Sequence, residues 1–195
     1  GADVDTLDYS AFAGPVTVDL DNNGTQTSSA GDVIANFENV TGTTSNDTLI
    51  GDGNNNVLDG GAGDDTLVGG AGDDVLDGNA GSDTADFSSV TVGLTIDLNA
   101  GTVTGDGNDT LISIENVTGS SGDDFIVGDA NNNILAGFDG NDTIRALGGD
   151  DVIDGGNGID TADFQLSGSA VTVDLVAGTA TGEGNDTLTD IENVD

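Results

Sequence analysis

The chain has 195 residues, of which 37 are Asp or Glu and one is Arg, so its formal net charge is −36. Nucleic acids and anionic membrane surfaces are excluded as partners, because either would add electrostatic repulsion. The absence of Cys and His excludes disulfides, thiolate sites and zinc chemistry. The chain has no run of 18 apolar residues, the length that would be needed to span a membrane. Hard cations, which bind through oxygen ligands, remain as candidate partners.

The first predicted element, residues 1–9, aligns with residues 79–87 further along the chain. We interpret it as the last nonapeptide of a preceding repeat set, with Asp5 at the ligand position, and so expect the chain to be an excerpt from a longer array. Residues 10–41 follow as a β-rich connector. Within it, residues 16–20 alternate apolar and polar side chains, which is typical of a half-buried strand.

Residues 42–87 carry five copies of a nonapeptide, and residues 60–68 and 69–77 match the pattern GGxGxDxUx, where U is aliphatic. Glycines permit tight turns with positive φ, the sixth-position Asp supplies a hard oxygen, and the eighth position supplies core. The sixth positions are Asp47, Asn56, Asp65, Asp74 and Asp83, and the eighth positions are Leu49, Leu58, Leu67, Leu76 and Ala85.

The same arrangement recurs 77 residues later without a gap. Residues 88–118 form a second connector, residues 119–164 a second set of five nonapeptides, and residues 165–195 a third connector. The second set has sixth positions at Asp124, Asn133, Asp142, Asp151 and Asp160. Each connector is too short for an independent domain, so we expect it to extend the repeat architecture.

Each nonapeptide combines a six-residue loop with a three-residue strand, so the chain reverses at every copy and alternate loops stack on one edge. Stacked strands lie about 4.8 Å apart, a spacing at which two sixth-position carboxylates reach one ion. Six or more oxygens suit Ca²⁺ better than Mg²⁺. The expected pairs are Asp47 with Asp65, Asn56 with Asp74, Asp65 with Asp83, Asp124 with Asp142, Asn133 with Asp151, and Asp142 with Asp160.

Calcium binding and folding should be a single event. The aliphatic core of such a solenoid is too thin to offset chain entropy, and two carboxylates about 4 Å apart repel by roughly 4 kcal/mol at an effective dielectric near 20. We therefore expect multiple Ca²⁺ ions to form two ladders within an all-β solenoid. Disorder, the usual state of so acidic a chain, is expected only without calcium.

This pattern resembles the RTX (repeats-in-toxin), hemolysin-type calcium-binding family, on the strength of residues 60–77 above all, and of residues 51–56 and 114–119. The resemblance implies a parallel β-roll. It also implies ligands from loop positions one, three and six on one side and two, four and six on the other. The implied first- and third-position ligands are Gly60, Ala62, Gly69, Ala71, Gly78, Ala80, Gly137, Asp139, Gly155 and Asn157.

Some loops depart from the pattern, and we expect weaker or empty sites there. Asn56 and Asn133 replace Asp, Ala146 and Leu147 replace the two glycines, and residues 42–45 lack two glycines. Inside the connectors, residues 107–111 and 184–188 copy motif positions four to eight, so Asp109 and Asp186 either bind an additional ion or belong to plain turns.

Other acidic residues are not expected to be ligands. The fifth-position residues Asp64, Asp73, Asp123 and Asp150 should face solvent, and Asp59, Asp77 and Asp154 should point outward from their strands. Arg145, the only cation, should form a local ion pair. Catalysis is not expected, because a ladder of equivalent carboxylates lacks the separated pKa values that acid and base roles require.

The function that these patterns favour is a calcium-binding, secreted or cell-surface structural segment, such as an adhesin stalk, matrix fibre or surface-layer component. Its partners would be calcium and further copies of the same repeat. An alternative is a calcium-dependent folding and secretion module of an enzyme exported by type I secretion, the usual route of the resembled family. A carbohydrate-binding module is disfavoured, because the few aromatic residues recur at connector positions typical of core.

Overall fold

The computed structural model describes residues 4–20 and 34–195, which form short β-strands and no helix. The predicted nonapeptide at residues 1–9 therefore lies partly outside the described residues. In chain order the strands are β1 Thr6–Asp8, β2 Thr17–Asp19, β3 Asn39–Thr41, β4 Thr48–Ile50, β5 Val57–Asp59, β6 Thr66–Val68, β7 Val75–Asp77, β8 Thr84–Asp86, β9 Thr95–Asp97, β10 Thr102–Thr104, β11 Asn108–Ile112, β12 Asn116–Thr118, β13 Phe125–Val127, β14 Ile134–Ala136, β15 Thr143–Arg145, β16 Val152–Asp154, β17 Thr161–Ala162, β18 Thr172–Asp174, β19 Thr179–Thr181, β20 Asn185–Thr189 and β21 Asn193–Val194.

The chain divides into two compact units, unit 1 with Gly1–Asp86 and Asp106–Ile114, and unit 2 with Phe87–Gly105 and Glu115–Asp195. In unit 1 one sheet has the strand order β1-β3-β5-β7-β11 and the other β8-β6-β4-β2. All of these pairings are parallel. Successive strands therefore alternate between two sheets, and loops two nonapeptides apart stack on one edge, which confirms the predicted β-roll.

The core of each unit is a column of eighth-position side chains. Leu49 pairs with Leu67 in one sheet and Leu58 with Leu76 in the other, and all four are 0% exposed. The residues on either side of each leucine point outward and are exposed or half-buried. Three-residue strands suffice because only the central residue of each faces inward.

In unit 2 one sheet has the order β10-β9-β13-β15-β17-β21 and the other β18-β19-β20-β16-β14-β12. The nonapeptide strands are again parallel, but the connectors add antiparallel pairs, β9 with β10, β18 with β19 and β19 with β20. The expected parallel solenoid therefore contains local hairpins. The reason is loop length, since only residues 98–101 separate β9 from β10 and a parallel pair needs a much longer crossover.

The connectors nevertheless lie in the same sheets as the nonapeptides. Strand β9 pairs in parallel with β13, β2 with β4, β11 with β7, and β20 with β16.

Within residues 4–20 and 34–195 there is no helix long and apolar enough to cross a membrane. The edges of each unit, where the loops stack, carry the candidate site residues.

Candidate metal sites

The sixth-position side chains form hydrogen-bonded ladders along the stacked loops. In each predicted pair the backbone N–H of the first residue donates to Oδ1 of the second, 18 positions later, at 2.7 Å for Asp47 to Asp65 and at 2.8 Å for Asp124 to Asp142. The remaining predicted pairs, Asn56 with Asp74, Asp65 with Asp83, Asn133 with Asp151 and Asp142 with Asp160, are each joined in this way at 2.8 Å. The structure therefore brings together all six pairs.

Five of the sixth-position carboxylates each have one oxygen that is buried without a hydrogen-bond partner. This oxygen is Oδ2 of Asp65, Asp74, Asp142, Asp151 and Asp160, and these residues are at most 1% exposed. A buried carboxylate oxygen with no donor is costly unless a cation compensates it. Burial, with neighbouring carboxylates adding to it, raises the pKa of Asp65, Asp74 and Asp151 to about 6 and that of Asp142 to about 7.

At several first-position glycines a backbone carbonyl lies beside the sixth-position side-chain oxygen. A Cβ placed on Gly137 would lie 2.2 Å from Asp142 Oδ2 and 2.6 Å from the Gly155 carbonyl oxygen. At Gly42 the corresponding atoms are the Gly60 carbonyl oxygen at 2.3 Å and Asp47 Oδ2 at 2.6 Å. Both cradles place a carboxylate of one loop beside a carbonyl of the next, and at Gly137, where Asp142 Oδ2 has no protein donor, this donor set suits Ca²⁺.

The glycines of the motif have two distinct roles. Gly61 and Gly63 have φ of 100° and 117°, as expected for tight turns. Gly60 has no positive φ and is required instead because a Cβ there would lie 2.4 Å from Asp65 Oδ2. The prediction of positive φ was therefore wrong for the first position, where close approach of an oxygen is the reason for glycine.

The departure at Ala146 and Leu147 does not disturb its loop. Leu147 adopts φ of 72°, as a second-position glycine would, and the Ala146 carbonyl still lies at the cradle of Gly128, 2.5 Å from a Cβ placed there. Phe138 and Asn79, also at second positions, have φ of 82° and 62°. Tertiary stacking holds these side-chain-bearing residues in the left-handed region despite its cost.

The first loop on each edge is built differently, because protein donors satisfy its sixth-position side chain. Asp124 Oδ2 accepts from the Ser120 backbone N at 2.6 Å and Oδ1 from Ser120 Oγ at 2.8 Å. Thr43 makes the equivalent bonds to Asp47. In this loop Thr43 thus stands in place of the second-position glycine and supplies donors to Asp47.

The two asparagines are satisfied in the same manner. Asn56 Oδ1 accepts from the Asp52 N–H at 2.8 Å, and its Nδ2 donates to the Glu38 carbonyl at 2.7 Å. For Asn133 the partners are Asp129 N–H at 2.9 Å and the Glu115 carbonyl at 2.8 Å. An amide suits this position because Nδ2 can donate to a carbonyl, which a carboxylate cannot do.

Asp109 and Asp186 extend the ladders into the connectors. Asp74 N–H donates to Asp109 Oδ1 at 3.0 Å, and Asp151 N–H to Asp186 Oδ1 at 3.2 Å. Both carboxylates are buried, and burial raises the pKa of each. An additional ion and a plain turn both stay predictions at these positions.

The third-position residues lie on neighbouring loops but have varied surroundings. Ala62 faces Ala80 and Asp139 faces Asn157 in isolated parallel bridges. The carbonyls of Ala80 and Asn157 accept backbone hydrogen bonds from Gly63 and Gly140 at 2.9 and 3.0 Å. Ala71 is exposed. The roles of these residues as ligands stay predictions, as do those of the carbonyls of Gly69 and Gly78.

Sequence reasoning missed two acidic residues that terminate ladders. Glu38 Oε2 accepts from Asp5 N–H, and Glu192 Oε2 from Asp160 N–H, both at 2.8 Å. Each therefore occupies the place of a sixth-position Asp in a following loop. The sequence signal that could have identified these two residues was the Glu-Asn-Val motif, which recurs at residues 38–40, 115–117 and 192–194.

The fifth-position residues Asp64, Asp73, Asp123 and Asp150 are exposed, as predicted. Each accepts a backbone N–H from the next loop, at 3.0 Å for Ser82 to Asp64 and 2.8 Å for Asn141 to Asp123, with equivalent bonds at 2.9 Å to Asp73 and 2.8 Å to Asp150. They form an outer row that links stacked loops.

Arg145 forms the predicted local ion pair. Its Nε donates to Asp163 Oδ2 at 3.1 Å, and its guanidinium lies 5.3 Å from the ring centroid of Phe125. Asp59, Asp77 and Asp154, predicted to face outward, are half-buried. One oxygen of Asp154 is buried without a hydrogen-bond partner, which differs from the surface role expected for it.

Among the described residues, no three acidic side chains converge closely enough to hold a metal by themselves. The candidate sites instead place one or two carboxylates beside backbone carbonyls of stacked loops. Paired oxygens along both edges of a two-sheet parallel solenoid define a calcium-binding β-roll.

The profile of the family described as RTX calcium-binding nonapeptide repeat matches the chain in 4 copies, at residues 36–67, 50–85, 114–137 and 128–162. The matches span just over half of the 195 residues. The chain belongs to this family, which confirms the resemblance, and several repeats imply several bound Ca²⁺ ions. A comparison with curated proteins found no match.

Proposed function

We propose that this calcium-binding repeat protein is a non-catalytic, extracellular structural segment, a stalk, matrix fibre or surface-layer component that Ca²⁺ folds and stiffens. The observation that carries the proposal is the way a connector joins two repeat sets within unit 1. Glu38 accepts from Asp5 N–H through its side chain, at 2.8 Å, and its carbonyl accepts from Asn56 Nδ2 at 2.7 Å. One residue thus ends one ladder and begins the next.

A joint of this kind supports serial addition of repeats. The strands on both sides of the first connector, β1 and β5, pair with β3 in parallel and in continuous register. Neighbouring repeats in a solenoid stabilise one another through such interfaces. A connector that preserves both the sheet and the ladder suits a long array better than it suits a linker between independent modules.

The charge supports a location where calcium is abundant. A net charge of −36 and buried carboxylates with raised pKa require cations for compaction, and extracellular calcium modules bind with dissociation constants of about 10⁻⁴ to 10⁻³ M. In low calcium the chain should stay unfolded. The type I secretion module named as the alternative has the same requirement, so this observation favours both.

The repetition of the sites supports a non-catalytic role. Asp65, Asp74 and Asp151 share one environment and one direction of pKa shift. An acid and base pair needs two carboxylates with different environments. We therefore assign these carboxylates to metal binding rather than to chemistry on a substrate.

Electron microscopy of calcium-loaded native material tests the proposal. We expect thin filaments with a repeat set by the 77-residue unit, which loosen when calcium is chelated. Compact particles that carry a catalytic domain beside only two repeat sets would overturn the structural role and support the enzyme-associated alternative.

A further inference from the structure

The last loop of the second repeat set has a buried carboxylate oxygen that no following nonapeptide faces. Asp160 is 0% exposed, and its Oδ2 has no hydrogen-bond partner. In the preceding loop, Asp142 Oδ2 shares a cradle with the carbonyl of Gly155, the first residue of the next loop on that edge. In unit 2 no nonapeptide is stacked beyond residues 155–160. The repeat pattern by itself therefore provides no carbonyl from a following loop next to Asp160 Oδ2.

The connector turn at residues 190–192 lies at this position and reproduces the contacts of a loop. Asp160 N–H donates to Glu192 Oε2 at 2.8 Å, just as Asp142 N–H donates to Asp160 Oδ1 at 2.8 Å. Asn193 N–H donates to the Asp160 carbonyl at 2.9 Å, as Thr161 N–H does to the Asp142 carbonyl at 2.8 Å. Glu192 and Asn193 thus stand where a sixth-position Asp and the following strand residue would stand.

The turn also supplies the carbonyl. A Cβ placed on Gly155 would lie 2.1 Å from the Asp190 carbonyl oxygen and 2.8 Å from Asp160 Oδ2. The cradle at Gly137 has the same composition, with Asp142 Oδ2 at 2.2 Å and the Gly155 carbonyl oxygen at 2.6 Å. The Asp190 carbonyl therefore replaces the first-position carbonyl of a loop.

A left-handed backbone conformation at residue 190 orients the Asp190 carbonyl toward this position. Asp190 has φ of 49°, and the equivalent residues Ser113 and Asn36 have φ of 50° and 60°. In unit 1 the Ser113 carbonyl oxygen lies at the cradle of Gly78, 2.3 Å from a Cβ placed there, with Asp83 Oδ2 at 2.5 Å. Three chemically different residues adopt one uncommon conformation, which indicates that the conformation itself is required.

We propose that the connector turn completes a terminal Ca²⁺ site in unit 2, with ligands from the Asp160 carboxylate, the Asp190 carbonyl and the Glu192 carboxylate. Oxygen donors that mix carboxylates with a carbonyl are those that Ca²⁺ prefers, and water completes such coordination spheres. The site lies beyond the nonapeptides and adds one ion to those that the repeats bind. In unit 1 the Ser113 carbonyl and the Asp83 carboxylate lie together in the same way.

Counting Ca²⁺ ions by native mass spectrometry and calorimetric titration of the full chain tests the site. Glu192→Gln keeps an acceptor for Asp160 N–H but removes the charge, and Asp174→Asn is the matched control. Asp174 also accepts connector N–H groups, from Val176 and Ala177 at 3.0 Å, but it is exposed and away from the loops. We expect Glu192→Gln to bind one ion fewer, or one ion about tenfold or more weakly, while Asp174→Asn matches the wild type. Equal stoichiometry and affinity in both variants would overturn the proposal.

A second pair of variants tests the carbonyl and decides the outcome if Glu192→Gln does not fold. Asp190→Gly preserves the left-handed φ, whereas Asp190→Val disfavours it, because β-branched residues rarely adopt it. The ion should persist in Asp190→Gly and be lost in Asp190→Val. Loss in both would assign the effect to the Asp190 side chain, and retention in both would remove the carbonyl from the site, so either result contradicts the proposal.

Discussion

The first loops and the inner loops of each repeat set differ in what satisfies the sixth-position side chain. In the first loops, at Asp47, Asn56, Asp124 and Asn133, the second-position N–H donates to that side chain. In the inner loops this bond is missing, and Oδ2 of Asp65, Asp74, Asp142 and Asp151 has no protein donor. Protein groups compensate the first type, and a cation is needed for the second.

Backbone conformation at the second position follows the same division. The inner loops have positive φ there, 100° at Gly61, 93° at Gly70, 82° at Phe138 and 72° at Leu147. Thr43, Asp52, Ser120 and Asp129, at second positions in the first loops, are not among the described residues with positive φ. The difference teaches that handedness at the second position separates loops whose sixth-position side chain has a protein donor from loops whose carboxylate lacks one.

Removal of calcium should have the largest effect, because every inner loop then holds an uncompensated buried carboxylate. We expect the β signal in circular dichroism to be replaced by coil after exhaustive chelation and to return when calcium is added. An unchanged spectrum would show that protein donors suffice throughout and would abolish the distinction between the two loop types.

Substitution within one inner loop should distinguish a carboxylate that binds calcium from a carboxylate on the surface. Asp65→Ala removes the unpartnered oxygen and should raise the calcium concentration for half-folding by about tenfold or more. Asp64→Ala, the matched control, changes an exposed residue. It should shift the calcium concentration for half-folding by no more than about twofold. A calcium titration followed by circular dichroism measures both. Equal shifts would refute the register assigned to the loop, and Asp142→Ala against Asn141→Ala repeats the test in the second set.

The pH dependence should sharpen the comparison further. In the calcium-free chain, burial raises the pKa of Asp65 to about 6 and that of Asp142 to about 7, from the ordinary 3.8 of an aspartate. The folded state then holds more protons than the unfolded one, so folding is most favourable below about pH 4 and is weakened as pH rises through 6 to 7.

Calcium affinity should change in the opposite direction, because Ca²⁺ binds the deprotonated carboxylates. Circular dichroism of calcium-stripped protein between pH 4 and 8, with calcium titrations at each pH, measures both trends. A calcium-free chain that is better folded at pH 8 than at pH 4 would contradict the burial of these groups.

Conversion of a capping loop should have the smallest effect. Asn56→Asp places a carboxylate against the Glu38 carbonyl and removes the Nδ2 donor, so we expect a loss of about 1–3 kcal/mol in the free energy of unfolding. The number of bound ions should not rise. Chemical denaturation in saturating calcium, with ion counting by native mass spectrometry, measures both, and Asn55→Asp at the exposed fifth position is the control. An additional ion in Asn56→Asp would mean that the side chain alone, and not the backbone, selects the loop type.

Much of the architecture could be predicted from the sequence because the motif is local and periodic. The 9-residue period placed Leu58 and Leu76 in the core and Asp64 on the surface, and it paired Asp65 with Asp83, which lie two nonapeptides apart. The same pattern identified calcium and the family. These features depend on residues within one or two repeats, so the sequence alone determined them.

The tertiary structure decided what the connectors do and which oxygens lack donors. The contacts of Glu38 with Asp5 and of Asp109 with Asp74 span 33 and 35 residues, distances that no nonapeptide period encodes. The antiparallel pairing of β9 with β10, the left-handed conformation of Phe138 and the position of the Asp190 carbonyl likewise depend on which segments stack. The side-chain pattern is present in each repeat, whereas the direction of the connector backbone is set by stacking between distant segments. This is why the position of the Asp190 carbonyl emerged only from the fold.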